Sequence, residues 1–141
     1  MKKQFVVKVY TPKGLVLEKS AYFIRLPGKS GDVGVFEGHT PSLIECIEGE
    51  MELKTPSHTH AFFLPQAVVH VGKQRVILLV NHLEPIENID KKRAEESKER
   101  ALGRLKQGEM DQSSDVDTAR AKESLNRAEL RLEILLKHHL D

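Results

Sequence analysis

The chain has no tryptophan, a single cysteine, few aromatic residues and no excess of either charge. Each shortage excludes something. One thiol, Cys46, cannot close an internal disulfide, so a disulfide-stapled secreted scaffold is ruled out and a reducing compartment fits. With 22 Lys and Arg against 21 Asp and Glu the formal charge is +1. That balance removes the simplest electrostatic case for binding nucleic acid or an anionic membrane surface. Nothing approaches the roughly 18 consecutive apolar residues of a membrane-spanning helix; the longest clean run is Val76–Val80. The opening Met1-Lys2-Lys3, then Phe5-Val6-Val7, breaks at Lys8, far short of the about 7–15 apolar residues of a secretory signal. The expectation is a soluble chain that stays in the compartment where it is made.

What is present divides in two near residue 88. All six prolines, every aromatic residue and seven of the nine glycines lie before that point. Residues 1–88 carry 10 basic and 9 acidic side chains, whereas 89–141 carry 12 and 12 in a much shorter stretch. The division predicts two domains, 1–88 and 89–141.

The first half reads as short strands between turn formers. Gln4–Tyr10, Leu15–Leu26, Leu43–Ile47, Met51–Lys54, Ala61–Leu64, Ala67–Val71 and Arg75–Val80 are the candidate strands. Thr11–Gly14, the glycine-rich stretch Pro27–Pro41, Glu48-Gly49-Glu50, Thr55–His60 and Gly72–Gln74 are the candidate turns. At least seven short strands with no room for crossover helices predict an antiparallel β-sandwich or barrel.

The second half switches period. Asp90 is a helix N-cap, with a helix to about Gln107 and Gly108 as its stop signal. Met110–Ser114 is a polar connector, and Ser114 or Asp115 caps a second helix. There Ala121, Leu125, Ala128, Leu132 and Leu135 recur at helical spacing, while helix one offers only Ala94, Ala101, Leu102 and Leu105. This antiparallel two-helix hairpin buries too little to be stable alone, so the β-domain or a partner must cover it.

Several motifs resemble chemistry without assembling it. Gly28-Lys29-Ser30 lacks the earlier glycine of a phosphate loop, since Phe23 stands five positions before Gly28, and a tight turn is the better account. His58-Thr59-His60 has usable metal spacing but no third ligand near in sequence, and Pro56-Ser57 point to a hairpin tip, so no metal site is expected. His138-His139 suits the negative end of a helix dipole, and Cys46 in its apolar stretch reads as an inert buried thiol. No nucleophile, base and orienting acid come together, so the chain is not expected to be an enzyme.

Pro27–Val35 followed by Gly38-His39-Thr40-Pro41 resembles the signature loop of the epsilon subunit of F-type ATP synthases. Asn88–Glu96 is similar to the family's motif opening the first C-terminal helix, and Ala121–Leu132 to its second helix. Glu37 stands where the family usually has proline, and Pro65-Gln66-Ala67 replaces its Ser-Gly-Gly.

The resemblance implies a non-catalytic rotor subunit of the central stalk, coupling ion translocation to ATP synthesis. Its partners would be the gamma subunit and the c-ring, with the alpha and beta subunits added when the helices extend and inhibit hydrolysis. It implies a peripheral place on the cytoplasmic face of a bacterial membrane, touching the membrane only through the c-ring. Asp32, Gly38 and His39 match the rotor interface, His39 having a turn-stabilising hydrogen bond as its plainer role. No cofactor is required, but ATP is the regulatory ligand implied at Glu84, Ile89, Asp90, Arg93, Ala94, Arg100, Arg127 and Arg131.

Spacing supports a shared anion site there. Arg93 and Arg100 are seven apart and Arg127 and Arg131 four apart, so each pair shares a helix face. The plainer alternative is surface ion pairing, of Arg93 with Asp90 or Glu96, Arg100 with Glu96 and Arg127 with Glu123. Only Arg131 has no acid three or four residues away. The rival to the rotor reading as a whole is an unrelated β-sandwich adaptor with a helical, protein-binding tail.

Overall fold

A computed structural model describes residues 2–111 and 115–138, with side chains for 2–108 and 118–138. The chain forms two compact units, 1–86 and 87–141.

The first unit contains ten strands: β1 Phe5–Thr11, β2 Gly14–Ala21, β3 Phe23–Gly28, β4 Gly31–Val35, β5 Ser42–Cys46, β6 Gly49–Lys54, β7 Thr59–Leu64, β8 Ala67–Val71, β9 Arg75–Leu79 and β10 Glu84–Pro85. Alternation drives the packing. Phe5, Val7 and Val9 of β1, Ile24 and Leu26 of β3, Met51 and Leu53 of β6, Val69 of β8 and Leu78 of β9 all turn inward to one core. Their intervening neighbours, among them Lys8, Arg25 and Glu52, are only half-covered.

Hydrogen bonding runs in the order β10-β7-β6-β3-β5-β8-β9-β1-β2, with β4 on β3. The pairs are antiparallel except β1 with β9, which run parallel from Val6 beside Arg75 to Tyr10 beside Leu79. The sandwich is therefore as expected, with one parallel seam that alternation alone does not reveal. The edge strand β2 is mostly exposed, Leu15 and Val16 included, and a Lys8–Glu18 pair at 3.6 Å ties it to β1.

Three local expectations change. The run Leu15–Leu26 breaks at Tyr22 into β2 and β3. The glycine-rich stretch after Pro27 contains a strand, β4, which folds back on β3 through a tight turn. A Cβ on Gly28 would lie 2.6 Å from the Gly31 carbonyl oxygen, and Gly31 has φ +128°, so this turn needs both glycines. Gly49 is not a turn residue but opens β6, where a Cβ would come 2.9 Å from Pro27 Cβ. Its glycine permits close packing.

The second unit begins with a 3-10 turn, from Glu87 onward, and continues as α1 Lys91–Asp111 and α2 Asp115–Lys137. Asp90 caps α1: its Oδ1 accepts the Arg93 backbone N–H at 3.1 Å. Gly108 does not stop α1, which runs on to Asp111. A helix-interior glycine costs only about 1 kcal/mol relative to alanine, too little to end a helix packed along its length. The helices pack on each other with only 112–114 between them, so they are antiparallel. Ala94, Ala101, Ala121, Ala128, Ile134 and Leu135 are buried, while Leu102 is exposed. Ser114 and His139 lie outside the described residues.

Candidate functional site

The small residues of the helical unit decide where its charges go. An α-helix turns about 100° per residue, so a residue just before a buried alanine stands on one flank of the seam. Arg93 precedes Ala94, Arg100 precedes Ala101 and Arg127 precedes Ala128. In an antiparallel pair, equal offsets on both helices fall on the same side. Arg131, three residues beyond Ala128 and four before Leu135, joins that side closer to the seam. The four arginines thus share one edge of the hairpin.

Arg104 and Arg120 stand on this edge too, three residues after Ala101 and one before Ala121. The resemblance did not single them out; offset from the buried alanines is the signal that finds them. Glu95, Lys122 and Glu129 each follow a buried alanine and so fall on the opposite edge. All six arginines of this unit lie on one side.

The surface ion pairs expected of Arg93 and Arg100 do not form among the described residues. Among the described residues the Arg93 guanidinium has no carboxylate partner within bonding distance. The Arg100 guanidinium donates to Ser97 Oγ at 3.1 Å instead of pairing with Glu96, and among the contacts of Arg127 is a hydrogen bond donated to Ser124 Oγ at 3.3 Å. Both serines sit one turn before their arginine, on the same edge. Such a row of planar forks suits an anion with several oxygens. Asp90 and the buried Ile89 and Ala94 stand at the start of α1. Glu84 lies in the other unit, on β10 opposite Phe63.

In the strand unit, Gly38 has φ +83° and gives the signature loop its turn. The His39 backbone N–H donates to the Phe36 carbonyl at 3.2 Å, and His39 Nδ1 lies 2.8 Å from the Thr40 carbonyl oxygen. The plainer hydrogen-bonding role of His39 is therefore realised. Asp32 stands on β4 across from Pro27, its Oδ2 receiving Arg25 Nη1 at 3.4 Å. Burial opposes the Arg25 charge, but the hydrogen bond it donates to Glu50 and the charges of Glu50, Glu52 and Asp32 outweigh it. The guanidinium is held protonated more firmly than usual.

The remaining sequence candidates of the strand unit lie in its turns, strands and core. Gly28–Gly31 is the tight turn of the β3–β4 hairpin, with the Lys29 backbone N–H donating to the Glu45 carbonyl at 2.9 Å. His58 belongs to the β6–β7 turn, where Thr55 Oγ1 donates to its carbonyl at 3.1 Å. The His58 ring leans toward His60, which stacks on Phe62. Burial pushes the Cys46 thiol from 9.0 up to about 11, the reverse of an activated nucleophile.

A strand sandwich followed by a helical hairpin with a cationic edge defines a protein of two modules. The family model for the ATP synthase delta/epsilon chain beta-sandwich domain matches residues 4–86, and that for its long alpha-helix domain matches 87–135. The ATP synthase epsilon chain of Bacillus cytotoxicus is 33% identical over 94% of this chain and 96% of its own length. That of Nitratidesulfovibrio vulgaris is 33% identical over 95% and 97%. The fold is shared with a chain of the Euglena gracilis mitochondrial ATP synthase, in a cryo-EM structure of OSCP, F1 and c-ring. There the TM-score is 0.82 at 18% identity, over 94% of this chain and 81% of that one. The chain belongs to the delta/epsilon chain family of ATP synthases. That membership removes the unrelated adaptor.

Proposed function

We propose that the chain is a non-catalytic rotor subunit of a bacterial ATP synthase, peripheral on the cytoplasmic face of the membrane. Its sandwich binds the gamma subunit and the c-ring, through Asp32 on β4 and the turn after it that carries Gly38 and His39. Its hairpin restrains ATP hydrolysis when extended toward the alpha and beta subunits, and ATP stabilises the closed hairpin. The arginine edge carries the nucleotide part of this reading: Arg93, Arg100, Arg127 and Arg131 reach one side of an antiparallel pair, as a triphosphate requires. Asp90 holds the start of α1 beside them. Similarity to bacterial epsilon chains over nearly the whole length supports the rotor part. So does the shared fold with a chain from a Tetrahymena thermophila mitochondrial ATP synthase central stalk and c-ring structure, TM-score 0.60 at 15% identity.

The switch obeys linkage. ATP shifts the hairpin by its differential affinity for the closed and extended states, and no more. The test is ATP hydrolysis by the cognate alpha-beta-gamma complex with the full chain or with a chain ending at Asn88, at low and high ATP. Inhibition by the full chain alone, weakening as ATP rises, is the expected result. If both versions bind and neither inhibits, the hairpin is a structural coupler; if neither binds, the rotor assignment fails.

A further inference from the structure

Arg25 joins three strands. It lies in the middle of β3 on the outward face, opposite Glu52 of β6 on one side and Gly34 of β4 on the other. Its Nη2 is 2.6 Å from Glu50 Oε1 and 3.6 Å from Glu52 Oε2. Its Nη1 reaches back across the β3–β4 hairpin to Asp32 Oδ2 at 3.4 Å. Lys54 Nζ closes the group against Glu52 at 3.7 Å. The two ends of the guanidinium have different surroundings. The Glu50 side chain is 9% exposed, whereas that of Asp32 is 63% exposed. One nitrogen is anchored in the sheet, and the other meets a carboxylate that faces solvent.

We propose that Arg25 is a positioning residue for the rotor contact made by Asp32, an inference that rests on the rotor reading above. Glu50 and Glu52 hold the fork in place, and the fork holds one Asp32 oxygen. The other oxygen, Oδ1, has no protein partner among the described residues and is presented outward for a hydrogen-bond donor or cation on the c-ring. A planar fork is required, because one nitrogen must serve β6 while the second serves β4. Lysine keeps the charge and the contact with Glu50 but offers one ammonium point.

The experiment measures affinity of the full chain, bound to its cognate gamma subunit, for the c-ring in lipid nanodiscs. The variants are Asp32→Asn, Arg25→Lys, Arg25→Gln and the double variant Arg25→Lys/Asp32→Asn. Asp32→Asn and Arg25→Lys should each weaken binding by about two- to fivefold, and the double variant should be no weaker than Asp32→Asn alone. Arg25→Lys keeps Glu50 paired and guards against an unfolded Arg25→Gln chain, with thermal melting as the control. Wild-type binding by Arg25→Lys, while Asp32→Asn binds weakly, overturns the positioning role. Additive losses in the double variant overturn it too, because Arg25 would then act by another route. If Asp32→Asn binds like wild type, the rotor contact itself is wrong and the proposal falls with it.

Discussion

Asp90 Oδ1 accepts the backbone N–H of Arg93 at 3.1 Å, so the residue that starts α1 also sets the first arginine of the cationic edge. The cap uses only the Arg93 main chain, leaving its guanidinium outside any ion pair among the described residues. One motif therefore does two jobs with different atoms: Asp90 ends the approach to the helix, and Arg93 stays available for a ligand.

Replacing Asp90 by alanine removes this cap and should destabilise the helical unit by about 1 kcal/mol. Amide exchange at Arg93 and Ala94 should accelerate severalfold, while β1 and β8 amides stay unchanged. Unaltered protection at Arg93 would mean the cap carries no weight.

The two ends of the arginine edge should behave differently toward ATP. Arg131→Ala, near the nucleotide motif, should lower ATP affinity by about tenfold, the loss of one charge-assisted contact, with little change in melting temperature. Arg104→Ala, further along the same edge, should lower it less than about twofold. Equal titrations for wild type and Arg131→Ala would remove ATP from the edge.

Glycines separate by environment. At Gly103 in α1 an added Cβ meets nothing within 4 Å, so Gly103→Ala should stabilise the hairpin by up to about 1 kcal/mol. At Gly28 a Cβ meets the Gly31 carbonyl oxygen at 2.6 Å, so Gly28→Ala should destabilise the sandwich by about 1–3 kcal/mol. Chemical denaturation of both variants checks the opposite signs.

Cys46 imposes an alkaline limit on stability. The unfolded thiol loses its proton near 9.0, whereas the folded, desolvated thiol keeps it to about 11. Between those values the native state binds more protons than the unfolded chain, so stability falls as pH rises through that window. Cys46→Ala should flatten this part of the profile. In the wild type, iodoacetamide should react slowly at pH 8 until denaturant is added; rapid labelling of the folded chain would contradict the burial.

The strand-then-helix order, the composition break near residue 88, the Asp90 cap and the alanine-rich stripes were all legible in the sequence, because each depends on neighbours within a few positions. The arginines were legible as pairs on single helices for the same reason. Partnerships between distant segments were not. The parallel seam of β1 with β9, the packing of Gly49 on Pro27, and the grip of β6 carboxylates on Arg25 join residues 22 to 69 positions apart in the chain. Arg104 and Arg120 joined the other four only when antiparallel packing assigned the two helix flanks to a common side. Local periodicity determined which elements form and which face of each is apolar. Which elements become neighbours, and so which charges meet, was decided by burying all those faces at once in a single packed arrangement.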